Sequence, residues 1–317
     1  MKITIVTPAP AASRTGNRHT AQRWAAMLRA AGHKVALETQ WHSGTPDVLF
    51  ALHARRSHAS ILRFREAHAD GKLVVVLTGT DLYRDIGDDP DAQQSLQLAQ
   101  RLVVLQEEGL KALPRRLRAK TRVIYQSAQV KVKAKPTPSG KTFRVCVLGH
   151  LREEKDPFRA ALALKHIPKT EKIELVHLGK AMSPAMAAQA TTLMFEDPRY
   201  RWLGGMPHWR ALGWLARSQL MVMSSRIEGG ANAIVEAACV GVPVLASAIP
   251  GNIGMLGADY PGYYPLEDET ALAKLLTKAM RYQAYYQSLK RGIAARRHLF
   301  RPQNEQASLV RLLRELA

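Results

Sequence analysis

The stretch Leu220–Ser247, LMVMSSRIEGGANAIVEAACVGVPVLAS, determines how the rest of the chain is interpreted. An apolar run over Leu220–Ser224 predicts a buried strand, and a second run predicts another over Val242–Ala246. The residues between them predict a helix over about Asn232–Val240. It would end at Gly241, because glycine readily adopts the left-handed conformation that closes many helices. The stretch therefore predicts a strand–helix–strand unit of a parallel sheet.

The loop between the first strand and this helix, Arg226–Asn232, suits a phosphate. Backbone N–H groups at a helix N-terminus have no partner within the helix and carry partial positive charge. Two carboxylates flank this point, Glu228 in the loop and Glu236 inside the helix. Carboxylates repel phosphates but accept hydrogen bonds from sugar hydroxyls. The combination therefore indicates a nucleotide sugar, which has hydroxyls on both sides of its diphosphate.

The same alternation of strands and helices extends over the 317 residues, a length sufficient for two domains. A helix is predicted over Asn17–Ala31, and a charged linker with proline and glycine over Lys131–Gly140. We predict an N-terminal domain over 1–133, a C-terminal domain over 134–284, and a helical tail over 285–317 that crosses back to the N-terminal domain. Strands are predicted at residues 2–7, 34–38, 47–52, 73–77, 101–105, 122–125, 142–148, 172–178, 200–203, 220–224 and 242–246.

Composition narrows the functional class. The net charge of +20 is compatible with binding to nucleic acid, an anionic membrane or a small anionic substrate. Aromatic residues make up only 6% of the chain and do not interleave with the clusters of basic residues, so the sequence lacks the base-stacking surface of a single-strand-binding protein. The two cysteines lack metal-ligand spacing, and the N-terminus lacks a signal peptide, so we expect a cytoplasmic protein. The dinucleotide fingerprint, the P-loop, the nucleophile elbow of hydrolases and the zinc-protease motif do not occur, which argues against those enzymes.

The stretch Leu220–Ser247 resembles the Glu-x7-Glu motif of the family 4 glycosyltransferases. That resemblance implies the GT-B fold, an α/β architecture of two Rossmann-like doubly wound domains facing a central cleft. It also implies that Glu228 holds the transferred sugar and that Glu236 binds the nucleotide ribose. The donor diphosphate would lie on the amides of Gly229, Gly230, Ala231 and Asn232.

A second segment, Val147–Pro157, opens the C-terminal half and resembles the family segment G-R-L-x-x-x-K-G. In the family, an arginine and a lysine of this segment clamp the diphosphate. The lysine is kept as Lys155, but His150 occupies the arginine position, and Arg152 is a candidate for the missing guanidinium. We therefore assign catalytic roles to Arg152 and Lys155 beside Glu228, and a donor-binding role to His150.

Three loops of the N-terminal half are predicted to bind the acceptor. The first leads from Ser13 into a helix N-terminus, with Gly16 on the donor side. The others end the third and fourth strands, and Thr78 stands where relatives often have a histidine. The acceptor candidates are Asn17, Arg18, His53, Arg55, Thr78, Asp81 and Arg84.

Three first-half segments are PAPAASRTGNRHTAQRWA at residues 8–25, ALHARRS at 51–57 and VVVLTGTDLYRD at 74–85. They resemble one branch of the family, the selenosugar synthases of selenoneine biosynthesis. This branch joins a UDP-sugar to selenophosphate, so the resemblance implies UDP-GlcNAc or UDP-Glc as donor and an anionic acceptor. A conventional transferase with a sugar-phosphate or other hydroxyl acceptor remains the alternative. A nucleotide-sugar epimerase and a nucleic-acid-binding module are also open. No metal cofactor is expected, because no D-x-D metal motif is placed directly after a predicted strand of the first domain.

Overall fold

The computed structural model describes residues 1–10, 16–130 and 142–317. The predicted linker Lys131–Gly140, the predicted boundary at residues 133 and 134, and the loop residues Ser13–Thr15 lie outside this range. The chain forms two compact units. Unit 1 comprises residues 1–127, 228–230 and 301–317, and unit 2 comprises residues 128–227 and 231–300.

Unit 1 is built on a six-stranded parallel sheet in the order β2-β1-β3-β4-β5-β6. Its strands are apolar along most of their length, as is usual for parallel strands that are covered on both faces. They are β1 Lys2–Val6, β2 Lys34–Glu38, β3 Val48–Leu52, β4 Lys72–Val76, β5 Arg101–Val104 and β6 Thr121–Val123.

Helices cover both faces of this sheet. Because side chains alternate along a strand, Phe50 packs against Trp24 on one face, while its neighbour Leu49 packs with Phe64 on the other. The helices are α1 Gly16–Ala30, α2 His58–Ala67, α3 Ile86–Asp88, α4 Pro90–Leu98, α5 Glu108–Lys111 and α6 Arg115–Arg118. A π-helical turn over Asp81–Asp85 precedes α3.

Unit 2 is built on a second six-stranded parallel sheet, in the order β12-β11-β10-β7-β8-β9. The strands are β7 Phe143–Leu148, β8 Ile173–Leu178, β9 Tyr200–Trp202, β10 Leu220–Met223, β11 Val244–Ser247 and β12 Tyr263–Tyr264. The edge strand β12 has only two residues and was not predicted, since so short a segment gives no periodic signal.

The helices of unit 2 are α7 Arg159–Leu164, α8 Pro184–Glu196, α9 His208–Ala216, α10 Asn232–Val240, α11 Pro250–Leu256, α12 Glu269–Arg281 and α13 Gln283–Arg296. Helix α10 has the bounds predicted from the sequence and ends at Gly241, whose φ is +87°. Single 3₁₀ turns occur over Glu153–Lys155 and Arg297–Phe300.

The last helix, α14 Pro302–Arg314, belongs to unit 1 and packs on α1 through Leu309, Leu312 and Leu313. The tail predicted over 285–317 is therefore divided, because α13 stays in unit 2. There Tyr285 and Tyr286 bond the carbonyls of Pro261 and Gln219 through their hydroxyls.

One buried carboxylate fixes α14 to unit 1. Glu305 is 1% exposed and accepts hydrogen bonds from Trp24 Nε1 at 2.7 Å, Arg23 Nε at 2.9 Å and the backbone N–H of Ser127 at 2.8 Å. Trp24 and Arg23 lie on α1, and Ser127 follows β6. A single side chain thus joins three segments that are far apart in sequence.

Both sheets have a doubly wound topology, so the predicted fold class is confirmed. In each sheet the strand order reverses beside the first strand of the unit, between β1 and β3 in unit 1 and between β7 and β10 in unit 2. Ligands of such sheets bind outside the carboxyl ends of the strands at these switch points. The loops after these four strands are therefore the candidate ligand-binding loops of the two units.

Candidate functional site

In unit 2 the predicted donor residues converge at the switch point. Strands β7 and β10 pair directly, with Val145 opposite Leu220 and Val147 opposite Val222. The loop after β7 carries His150, Arg152 and Lys155, and the loop after β10 leads into α10. Parallel neighbours end at the same edge of a sheet, so both sets of side chains leave from one edge.

The turn at Gly149 is held against the end of β8. A Cβ added to Gly179 would lie 1.8 Å from the carbonyl oxygen of Gly149, so only glycine allows this approach. Lys180 donates its backbone N–H to His150 Nδ1 at 3.0 Å. Since Nδ1 accepts a hydrogen bond, the neutral ring of His150 carries its proton on Nε2.

A buried histidine on β8 also bonds to the turn at Gly149. His177 on β8 is fully buried; its Nε2 lies 3.2 Å from the carbonyl oxygen of Gly149 and its Nδ1 lies 3.1 Å from the hydroxyl of Tyr200. The carbonyl can only accept, so Nε2 donates to Gly149 and Nδ1 accepts from Tyr200. Burial lowers the pKa of His177 to about 4, which keeps the ring neutral. Trp202 Nε1 adds a hydrogen bond to the Gly179 carbonyl at 2.8 Å.

Lys155 lies at the end of a 3₁₀ turn that is tied to the neighbouring β10 loop. The hydroxyl of Ser224 donates to the carbonyl oxygens of Lys155 at 3.1 Å and Asp156 at 2.8 Å. The backbone N–H of Arg226 donates to the Glu154 carbonyl at 2.9 Å. The aliphatic part of Lys155 crosses Gly149, since a Cβ on that glycine would be 3.9 Å from Lys155 Cδ. Arg152 precedes the turn and is exposed.

The N-terminus of α10 has the features expected of an anion site. Ala231 is the N-cap residue and Asn232 is the first helical residue, and the methyl side chain of Ala231 makes no capping hydrogen bond. The first-turn N–H groups carry the positive end of the helix dipole.

Glu236 lies in the second turn of α10 and already has a partner. His208, the first residue of α9, approaches Glu236 Oε1 with its Nε2 at 2.8 Å. This hydrogen bond raises the pKa of His208 above its usual value. Sequence reasoning assigned Glu236 to the site but assigned no role to His208.

The residues Glu228–Gly230 group with unit 1 rather than with the helix that follows them. Glu228 is 8% exposed. A Cβ on Gly229 would lie 2.3 Å from the Thr78 carbonyl oxygen, and a Cβ on Gly230 would lie 2.6 Å from Leu105 Cβ. The paired glycines thus allow the backbone to approach the loops after β4 and β5.

Asp81, a predicted acceptor residue, is bonded by the protein itself. Its carboxylate is fully buried. Oδ1 accepts the backbone N–H groups of Thr78 at 2.8 Å and Gly79 at 2.9 Å, and Oδ2 accepts that of Ala54 at 3.0 Å. Asp81 therefore shapes the loops after β3 and β4.

Asp85 collects the two predicted acceptor arginines. Its carboxylate accepts from Arg55 Nε at 2.9 Å and from Arg84 Nε at 3.2 Å. Burial alone would raise the pKa of Asp85, but these hydrogen bonds lower it, so the group is anionic. One of the two positive charges is thereby neutralised, and both guanidinium groups remain partly exposed. Sequence reasoning missed Asp85.

His53 follows β3 and is buried in a left-handed conformation with φ of 73°. Its Nδ1 accepts the backbone N–H of Arg56 at 3.3 Å, and its Nε2 lies 3.1 Å from Thr80 Oγ1. Burial lowers its pKa. A bulky residue rarely adopts a positive φ, and such residues concentrate at functional loops.

The predicted residues at the start of α1 face another part of unit 1. Gly16 is the first helical residue, and its carbonyl accepts from Thr20 Oγ1 at 3.0 Å. Asn17 is half-buried. Arg18 lines a shallow cavity of about 480 Å³ with residues 37–40, 42 and 43, which follow from the end of β2. Arg18 thus lies beside β2, whereas Arg55 and Arg84 follow β3 and β4.

The family model described as "Glycosyl transferases group 1" matches residues 129–296, more than half of the chain. The chain belongs to this family.

Three solved structures of other proteins have the same fold as this chain. Sucrose-phosphate synthase from Thermosynechococcus elongatus is 16% identical and superposes with a TM-score of 0.82, covering 99% of this chain and 98% of that one. HepE of Anabaena, solved in complex with UDP and glucose, is 13% identical with a TM-score of 0.78, covering 99% and 100%. A glycosyltransferase from Rickettsia africae is 14% identical with a TM-score of 0.75, covering 99% and 98%.

Because the chain belongs to this family, it is a glycosyltransferase. The family description does not name the two other classes that the sequence left open, an epimerase and a nucleic-acid-binding module. None of the described helices has the length and hydrophobicity needed to cross a membrane. Within the same described residues, no three His, Cys, Asp or Glu side chains are grouped so as to bind a metal ion.

Proposed function

We propose that this group 1 glycosyltransferase uses a UDP-sugar as its donor. The observation that carries the proposal is the set of residues at the switch point of unit 2. There a lysine, the N-terminus of α10 and the carboxylate of Glu236 share one edge of the sheet. UDP is supported by HepE, which was solved with UDP and with UDP-glucose. We propose UDP-Glc or UDP-GlcNAc.

The proposed roles follow from charge. Lys155, Arg152, the Nε2–H of His150 and the amides of residues 229–232 would bind the diphosphate, on which negative charge grows as UDP departs. Donors that are fixed before the reaction stabilise such charge without reorganisation. Glu236 would accept hydrogen bonds from the ribose, and Glu228 from the transferred sugar.

A calorimetric titration with UDP tests the donor assignment. Wild type should bind UDP more tightly than GDP, and Lys155→Ala and Glu236→Ala should each weaken binding roughly 10- to 150-fold, because each removes a charge-assisted hydrogen bond. Lys165→Ala, at an exposed lysine paired with Glu196 in the same unit, is the matched control and should bind like wild type. Equal affinity of all variants would remove the donor assignment.

For the acceptor we propose a small anion, with selenophosphate as the specific candidate. Support comes from the resemblance of three first-half segments to the selenosugar branch and from the partly exposed guanidinium groups of Arg55 and Arg84. Asp81 is buried and His53 is held by Arg56 and Thr80, so neither is proposed as a general base. Selenophosphate needs no base because it is already anionic at neutral pH.

In the proposed reaction, an electron pair of selenium forms a bond to the anomeric carbon of the sugar. The bond between that carbon and the β-phosphate oxygen breaks, and UDP leaves with the bonding pair. UDP release should be compared with selenophosphate, thiophosphate and phosphate in parallel. Release that depends on selenium supports the proposal. Release only with sugar phosphates or other hydroxyl acceptors favours the conventional transferase.

We also propose that transfer requires no divalent metal. The D-x-D of the first half, Asp89–Asp91, lies at the N-terminus of α4 rather than directly after a strand, and the proposed cations for the diphosphate are side chains and helix amides. Turnover should be the same in excess EDTA as in magnesium. A loss of activity in EDTA that magnesium or manganese restores would contradict this expectation.

A further inference from the structure

The side chains of His208 and Glu236 connect two helices of unit 2. His208 Nε2 is 2.8 Å from Glu236 Oε1, and the two residues are 28 positions apart in sequence. The side chain of His208 is 61% exposed, whereas that of Glu236 is only 15% exposed. An exposed imidazole thus lies over a carboxylate that is mostly withdrawn from solvent.

This geometry limits what the carboxylate can do. A glutamate side chain has three rotatable bonds, and a hydrogen bond to one oxygen selects among the rotamers that they allow. A carboxylate can accept about four hydrogen bonds, so the bond from His208 leaves acceptor capacity for a ligand. The imidazole can donate from Nε2 whether it is neutral or protonated, and the pair therefore persists when His208 titrates.

We propose that His208 is a positioning residue of the donor site, which holds Glu236 in the orientation that receives the ribose hydroxyls of the nucleotide. This inference rests on the proposed UDP-sugar donor. It adds a residue to which neither the Glu-x7-Glu motif nor the other family segments assign a role. Because the side chain of His208 is highly exposed, a substitution that truncates it should have little effect on folding.

The test separates positioning from general structural support by using two ligands. Affinities for UDP and for 2′,3′-dideoxy-UDP are measured by calorimetry on wild type, His208→Ala and His208→Gln. His208→Ala should weaken UDP binding roughly tenfold. It should weaken 2′,3′-dideoxy-UDP binding less than about twofold, because the hydroxyls that Glu236 receives are already missing. His208→Gln keeps an N–H donor near the Nε2 position and should restore most of the affinity for UDP.

Arg217→Ala is the matched control. Arg217 is an exposed cation at the other end of α9, about 13 Å along the helix axis from His208, and its loss should leave both affinities unchanged. Thermal unfolding of each variant confirms that the fold is intact. Equal weakening of both ligands by His208→Ala, or no weakening of UDP, would overturn the inference. Failure of wild type itself to bind UDP would instead overturn the proposed donor and, with it, this role.

Discussion

At the scale of single residues, the buried polar groups decide how the loops are shaped. His177 is the clearest example, since its two nitrogens join Tyr200 to the Gly149 turn and its pKa is about 4. An unfolded chain has a histidine pKa near 6.5 and so binds a proton that the folded state excludes. The stability that depends on neutral His177 is present above pH 6.5 and is lost as the pH falls from 6.5 towards 4.

This predicts a specific acid sensitivity. The free energy of unfolding should lose about 3 kcal/mol to His177 between pH 7 and pH 4. Urea titrations of wild type and His177→Gln across this range measure the contribution, because the carboxylates that also titrate are common to both proteins. The difference in stability between the two should shrink as the pH falls. A difference that is constant with pH would contradict the assignment.

Asp81 shows what the sequence could not supply. Its position in the loop after β4 was predicted, but whether its carboxylate faces ligand or protein depends on burial. We expect Asp81→Asn to lower the free energy of unfolding by about 1–3 kcal/mol, since an amide N–H₂ would then face a backbone N–H. Asp88→Asn, the same change at an exposed site nearby, should have almost no effect. Denaturant unfolding of both variants checks this, and equal stability would refute it.

At the scale of secondary-structure elements, the hydrogen bonds of one glutamate on α14 hold this last helix against the rest of unit 1. Glu305→Ala on α14 would leave the indole N–H of Trp24, the N–H of Ser127 and the guanidinium of Arg23 without their acceptor. We expect a loss of about 3–5 kcal/mol, as for other buried charges that lose their partner. Chemical denaturation followed by circular dichroism measures it.

The same helix offers a control. Glu315 at the C-terminal end of α14 is partly exposed and pairs with Arg101 and Arg122. Glu315→Ala removes an ion pair of similar chemistry from the surface, so its cost should be at most about 1 kcal/mol. If both substitutions cost the same, the burial of Glu305 would not be what anchors α14.

At the scale of the whole molecule, the apolar runs of both sheets were visible in the sequence. The predicted strands agree with the structure to within one or two residues, and α10 agrees at both ends. This success has a simple cause, since parallel strands that are covered on both faces appear as continuous hydrophobic segments. The residues of the Glu-x7-Glu stretch were equally visible because their spacing is local.

The contacts that complete the candidate sites were not visible, because they join distant segments. The Gly149 carbonyl approaches Gly179 closely, His208 bonds to Glu236, and Arg55 bonds to Asp85 from the loop after β3. Each depends on which loops the sheet order brings together. The division of the tail after α13 likewise depends on packing that periodicity does not report.

The most direct test of the account is whether the protein transfers a sugar from a UDP-sugar with Glu228 in the reaction. Wild type and Glu228→Ala are incubated with UDP-Glc or UDP-GlcNAc and with selenophosphate or sugar phosphates, and the products are identified by mass. We expect UDP release and a product that carries the glycosyl group, with turnover reduced roughly 10- to 150-fold in Glu228→Ala. No product from any UDP-sugar, or the same turnover in both proteins, would contradict it.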